Sequence, residues 1–118
     1  MFNDETVQQW ILETGTATSF TFLVLGNLTE EQLNTLVKGL VFALEIQGKD
    51  YEVAVFEEEI DEEKAVAWNT FQGTSISIVL RGNKIAYEKD VRMVIESGLD
   101  YLKFKYEYLG KHRSDSYV

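Results

Sequence analysis

Cysteine and proline are both missing from this 118-residue chain, and histidine occurs once. Without cysteine there is no disulfide, no thiolate nucleophile and no Cys-ligated zinc. That composition suits a reducing compartment, and a cytoplasmic location is expected. Without proline, no helix is kinked by one and no native cis-prolyl bond exists. Positive charge is also scarce: 11 Lys and Arg stand against 20 Asp and Glu, for a net charge of -9. Residues 1–80 hold only Lys38, Lys49 and Lys64 against fourteen acids, whereas residues 81–118 hold eight basic residues against six acids. The acidic part repels nucleic acid and anionic membrane, so any charged partner is expected to be basic. The start, "MFNDETVQQW", lacks the basic and apolar pattern of a signal peptide. The segment 33–46 is the longest apolar-leaning one, but it contains Lys38 and Glu45 and reads as a core helix.

The chain is long enough for one domain with a real core, and 45% hydrophobic residues argue for a folded globule. Asn3 or Asp4 can cap a first helix carrying Val7, Trp10 and Ile11, which Gly15 ends. "SFTFLVL" (19–25) is apolar on both faces and is expected as a central strand. "LTEEQL" supplies a capping box, Thr29 with Gln32, and Leu28 and Leu33 at staple spacing. Leu33, Leu36, Val37, Leu40, Val41 and Leu44 then form a helical stripe that Gly48 stops. "YEVAVFEEE" (51–59) is the next strand, with Tyr51, Val53 and Val55 on one face. Residues 64–71 read as a strand, or as a short helix capped by Asp61. "TSISIVLR" (74–81) turns Ile76, Ile78 and Leu80 inward, and Gly82-Asn83 is expected to return it as a hairpin through "KIAYE". A last helix is expected from Asp90 to Leu109, with Gly98 weakening it by about 1 kcal/mol relative to Ala.

The order α-β-α-β-(β)-β-β-α predicts an α+β fold: a mixed or antiparallel sheet with helices mainly on one face. Residues 1–110 are expected to form the domain and 111–118 a flexible charged tail. If strand 51–59 pairs parallel to 19–25, residues 19–59 form a right-handed β-α-β unit. That half, "SFTFLVLGNLTEEQLNTLVKGLVFALEIQGKDYEVAVF", resembles a ferredoxin-like half-domain. It has neither the stacking aromatics nor the Gly-rich basic loop of RNA-binding proteins of that shape, so the resemblance implies no function.

Catalytic signals are weak. The one histidine, His112, sits between Lys111 and Arg113 in the expected tail, with no nucleophile marked for it. Glu13 and Glu45 border apolar positions, but no pocket is indicated that would hold a proton on either. "LGNLTEEQ" has one glycine and two glutamates at its helix start, which would repel a phosphate. "EEEIDEE" (57–63) lacks the alternating ligands and central glycine of a calcium loop. No enzyme activity, metal or cofactor is expected.

Two features point to binding instead. Glu57, Glu58, Glu59, Asp61, Glu62 and Glu63 fall within seven residues. Extended, such a run covers about 24 Å, a charge density near that of a nucleic-acid backbone. Its ordinary role is a solvated strand end that blocks edge pairing; its functional role is a decoy for a basic groove. Tyr101, Phe104 and Tyr108 form a second aromatic line on the expected last helix, a candidate self-association surface. In general character the chain is similar to phage-encoded anti-defence proteins, such as anti-CRISPR proteins, and to immunity proteins of nuclease toxins. That similarity implies an inhibitor acting as a nucleic-acid mimic on a nuclease or other nucleic-acid-binding protein. The other expectation is a homodimeric structural or regulatory subunit with no catalysis.

Overall fold

The computed structural model describes residues 5–46 and 53–114. The expected cap at Asn3 or Asp4, the stop at Gly48 and the position of Tyr51 lie outside them. The sheet is built around β1 (Ala17–Leu25), a strand apolar enough on both faces to be buried on both. β3 (Gly73–Arg81) pairs with one side of β1 and β4 (Lys105–Ser114) with the other, both antiparallel. β2 (Val53–Ile60) pairs antiparallel with the outer side of β3, giving the order β2-β3-β1-β4. β1 and β2 therefore run in the same direction with β3 between them, and they do not form the adjacent parallel pair considered from the sequence. β3 and β4 are related in the same way across β1. Two split β-α-β units in this order make the ferredoxin-like topology. The α+β class and the antiparallel sheet stand as read from the sequence.

Alternation along the strands sorts the two faces. Phe20, Phe22 and Val24 of β1 and Ile76, Ile78 and Leu80 of β3 point to one face. There they meet α2 (Glu30–Ile46) through Leu33, Leu36, Leu40 and Leu44, and α4 (Glu88–Tyr101) through Val91, Ile95 and Leu99. The opposite face carries two smaller clusters. At one end α1 (Glu5–Thr14) places Val7, Trp10 and Ile11 on Ala17 and Val79. At the other, α3 (Glu62–Ala67) places Ala65 on Leu23 and Ile60. The two long helices share a face as expected, and two shorter ones cover the ends of the other.

The start of α2 follows the sequence signal closely. The Thr29 N–H donates to Gln32 Oε1 at 2.9 Å, and the Gln32 N–H donates to Thr29 Oγ1 at 3.1 Å. Leu28 and Leu33 are both buried in the main core beneath this box. Thr29→Ala is expected to cost about 0.5–2 kcal/mol, because it leaves a first-turn N–H unpaired. Urea melts check this; no change would mean that the box forms no part of the folded state.

Four expectations are corrected. Residues 64–71 do not form a strand: Asp61 caps a helix, α3, as the other reading had it. "KIAYE" does not return as a hairpin, because β3 already has a strand on each side. A 3-10 turn at Ile85–Tyr87 leads straight into α4, and buried Thr18 fixes the corner. Its Oγ1 donates to the Gly82 carbonyl and accepts from the Lys84 N–H, each at 2.8 Å.

The last helix ends at Tyr101 rather than Leu109. Lys103 adopts φ 63°, its N–H donates to the Asp100 carbonyl, and the Phe104 N–H donates to the Leu99 carbonyl, both at 3.0 Å. This is a Schellman stop, with lysine in the left-handed position that glycine usually takes. β4 follows, and Lys111–Ser114, expected in the flexible tail, are part of it and pair with residues 17–20 of β1. Residues 115–118 lie outside the described residues. Gly98 also has a role that helix propensity misses: a Cβ there would lie 2.1 Å from Leu36 Cδ2, so it lets α2 and α4 approach closely.

Candidate interaction surface

The acidic run is not one extended ribbon. Glu57, Glu58 and Glu59 are exposed on β2, opposite Ile76, Ser75 and Thr74 of β3. Ile60 then turns inward and is almost fully buried against Leu23 and Ala65. The chain bends there. Asp61 accepts from the Lys64 N–H at Oδ1, 2.9 Å, and so starts α3. Glu62 and Glu63 occupy the first turn, where the helix dipole favours negative charge. Lys64 Nζ reaches back to Glu58 Oε2 and to the Glu59 carbonyl, 3.4 Å each. Part of the run is thus explained by local structure: one cap, two first-turn acids and an edge strand protected by charge.

Topology adds to the run. The C-terminal ends of β1 and β2 lie at the same end of the sheet, and the chain leaving β1 enters α2 there. Glu57 and Glu59 share a shallow groove with Asn27, Leu28 and Thr74, which joins β2 to the approach to α2. Glu30 and Glu31 stand in the first turn of α2. One end of the molecule therefore gathers Glu30, Glu31, Glu57, Glu58, Glu59, Asp61, Glu62 and Glu63. Among the described residues, the ion pair within this set is Lys64 with Glu58. Asp50 and Glu52, also counted as part of the acidic half, lie outside the described residues.

The same end carries exposed apolar surface that periodicity did not single out. Val66 is 78% and Trp68 53% exposed on and just after α3. Trp68 closes that helix, and Asn69 (φ 53°) ends it in a second Schellman arrangement. The Asn69 N–H donates to the Val66 carbonyl at 3.2 Å, and the Thr70 N–H to the Ala65 carbonyl at 2.9 Å. Val66 lines one shallow cavity with Asp61, Glu62 and Glu63, and another with Ala65, Asn69 and Phe71. An exposed tryptophan beside a capped acidic helix was legible only once 64–71 was read as a helix.

The expected aromatic line does not lie on one helix. Tyr101 ends α4 and is exposed, Phe104 lies in the α4–β4 connection and packs on the core, and Tyr108 is on β4. The Tyr108 ring sits 5.0 Å from that of Phe22, and Arg92 lies 4.2 Å over it. Its hydroxyl donates to Glu88 Oε2 at 2.7 Å, and Lys111 Nζ donates to Glu88 Oε1 at 2.9 Å. Burial, and then the bond to Glu88, raise the Tyr108 phenol above its usual range. The same bond, followed by that from Lys111, holds the Glu88 carboxyl below its own. Glu96 pairs with Arg92 and accepts from the Tyr106 hydroxyl at 3.1 Å. Burial and then this bond raise the Tyr106 phenol. These groups satisfy one another and fasten β4 to α4, which is a structural role.

The acid–base candidates are likewise occupied or dispersed. Glu13 pairs with Arg81 at 2.9 Å and accepts from Gln9 Nε2 at 3.0 Å. The bond from Gln9, and then that from Arg81, lower its carboxyl. The Glu45 side chain lies outside the described residues. His112 is exposed on β4, opposite Ser19. Among the described residues, no three His, Cys, Asp or Glu side chains are arranged to hold a metal ion. No helix among them is long and apolar enough to cross a membrane.

No family model matches the chain, and no curated protein matches it. Among solved structures it is similar to a crystal structure of AtUAH in complex with glyoxylate, at 12% identity and a TM-score of 0.43. The match covers 84% of this chain and 28% of that one, so the chain spans little more than a quarter of that protein's length. So slight a likeness has no bearing on what the chain does.

Proposed function

We propose that the chain is a small acidic protein-binding module, an inhibitor that occupies the basic site of a nucleic-acid-handling protein. The observation that carries this reading is the gathering of eight carboxylates from α2, β2 and α3 at one end of the sheet. On β2, Glu57 and Glu59 share a face about 7 Å apart, near twice the axial rise per phosphate of a DNA strand. A basic groove evolved to hold phosphates meets comparable charge there, on a folded surface that needs no ordering on binding. Association of this kind is fast and weakens steeply with salt.

The test uses a Glu57→Lys/Glu59→Lys/Glu62→Lys/Glu63→Lys variant. All four side chains are exposed, so the variant is expected to fold. Immobilised wild type is expected to retain a basic protein from its source cells at low salt and release it at high salt. Purified, that protein should lose nucleic-acid binding when wild type is added and keep it when the variant is added. A partner bound equally by the variant, or one whose nucleic-acid binding is untouched, would sink the reading.

A further inference from the structure

β2 and β4 are the two edges of the sheet, and no strand among the described residues pairs with the outer side of either. We propose that these edges pair with each other between copies of the chain: β4 of one copy lies antiparallel along β2 of the next, with Glu57 opposite Arg113, Glu58 opposite His112 and Glu59 opposite Lys111. This goes beyond the reading above and does not rest on it. Direction permits the pairing without turning a copy over. β2 runs with β1 and β4 runs against it, so a copy shifted sideways sets its β2 antiparallel to the first copy's β4. Side-chain faces agree as well. Glu57 and Glu59 stand on the face of Ile76 and Thr74, and Lys111 and Arg113 stand on that same face, opposite Phe20 and Thr18. Glu58 and His112 stand on the other face, opposite Ser75 and Ser19.

The backbone is in phase too. Successive residues of an antiparallel strand turn their N–H and carbonyl groups to alternate neighbours. The Gly82 N–H donates to the Thr16 carbonyl at 3.1 Å, so even-numbered residues of β1 bond β3 and odd-numbered ones bond β4. Carried along the registers, Glu58 and Ile60 bond β3, and His112 bonds β1. Glu57, Glu59, Lys111 and Arg113 therefore turn their main-chain groups outward. Lys64 Nζ meets the Glu59 carbonyl on that outer side at 3.4 Å, a long contact that a paired strand displaces. Charge selects the partner. β2 against β2 sets glutamate against glutamate, and β4 against β4 sets lysine and arginine against each other. The charges that protect each edge from its own kind favour the other edge. Lys111 keeps Glu88 and still has donors to spare. The ladder ends where the strands do, since β2 bends at Ile60 into α3 and β4 bulges between Tyr108 and Gly110. Each contact leaves one acidic and one basic edge free, so association continues past a dimer.

The experiment is sedimentation of the full chain at concentrations up to roughly 1 mM, because so short a contact is weak. Wild type is expected to gain mass with concentration and to pass the dimer. Glu57→Lys alone and Arg113→Glu alone are each expected to associate roughly tenfold more weakly, since attraction at one pair becomes repulsion. Both side chains are exposed, so both variants are expected to fold. An equimolar mixture of the two variants restores opposite charge at every contact and should associate like wild type. So should the double variant Glu57→Lys/Arg113→Glu. Hydrogen exchange reads the backbone directly. The amides of Glu57, Glu59, Lys111 and Arg113 should slow by about twofold or more as wild type associates, while those of Glu58 and His112, bonded within the sheet, change less. A wild type that stays monomeric over this range would overturn the pairing, as would mass that stops at a dimer. Association by Glu57→Lys equal to that of wild type, or a mixture no stronger than its parts, would overturn it too. Slowing at Glu58 and His112 rather than at their neighbours would show that the edges do not meet in this register.

Discussion

Replacing Leu40 with alanine is expected to destabilise the protein by about 2–5 kcal/mol, read as a lower midpoint in urea. Leu40 is fully buried in the middle of α2, between Leu36 and Leu44 on the same stripe. That stripe lies between the sheet residues Phe20, Phe22, Ile76 and Ile78 and the helix residues Val91, Ile95 and Leu99. Truncation removes apolar area and leaves a cavity whose walls belong to three separate elements, so collapse around it is costly. Phe42 is the internal control. It stands on the same helix but is 65% exposed, and its replacement by alanine should change stability by less than about 0.5 kcal/mol. Equal losses at the two positions would mean that α2 does not present the face described.

α2 was legible because three independent signals agree along it. The Thr29–Gln32 box fixes its start, the Leu28–Leu33 pair fixes its entry, and the stripe runs on at one spacing. β1 was legible for a different reason: a short run that is apolar on both faces has few places to go in a sheet except the middle. The split β-α-β order was not legible. Only the partner of each strand decides whether β2 lies beside β1 or is separated from it by β3, and that choice depends on residues far apart in the chain.

Residues 102–109 carry a strand signal overlaid by a helical one. "KFKYEYLG" alternates: Phe104, Tyr106 and Tyr108 pack against the core, while Lys105 and Glu107 are exposed. That period of two is the strand signal. It was hidden because Leu102, Tyr106 and Leu109 also fit helical spacing, and because the helix stops on lysine rather than glycine. A left-handed lysine is uncommon enough that no stop signal marks it. The candidate site shows the same division. Its charge was legible in composition alone, but the bend at Ile60 and the exposure of Trp68 depend on α3 being a helix.

Gly73→Ala is expected to be damaging on the same scale as Leu40→Ala, through crowding rather than a void. The added Cβ would lie 2.0 Å from the Val24 carbonyl oxygen and 2.9 Å from its carbonyl carbon. These are main-chain atoms of the central strand and cannot rotate away, unlike the Leu36 side chain that faces Gly98. β3 must therefore pull back from β1 at its first residues. The next residue, Thr74, is buried, and its one hydroxyl hydrogen faces two acceptors, the Gly26 carbonyl at 2.9 Å and Asn27 Oδ1 at 2.8 Å. Backing off strains or breaks this hydrogen bond, worth about 0.5–1.5 kcal/mol, on top of an overpacking cost of about 1–3 kcal/mol. The damage falls at the end of the sheet that carries Glu57, Glu59 and α3. Hydrogen exchange should therefore quicken at Val24, Thr74 and Ile60, while amides near α1, at the far end of the sheet, are affected less. A Gly73→Ala protein that melts in urea within about 0.5 kcal/mol of wild type would show that β1 and β3 do not approach as closely as described.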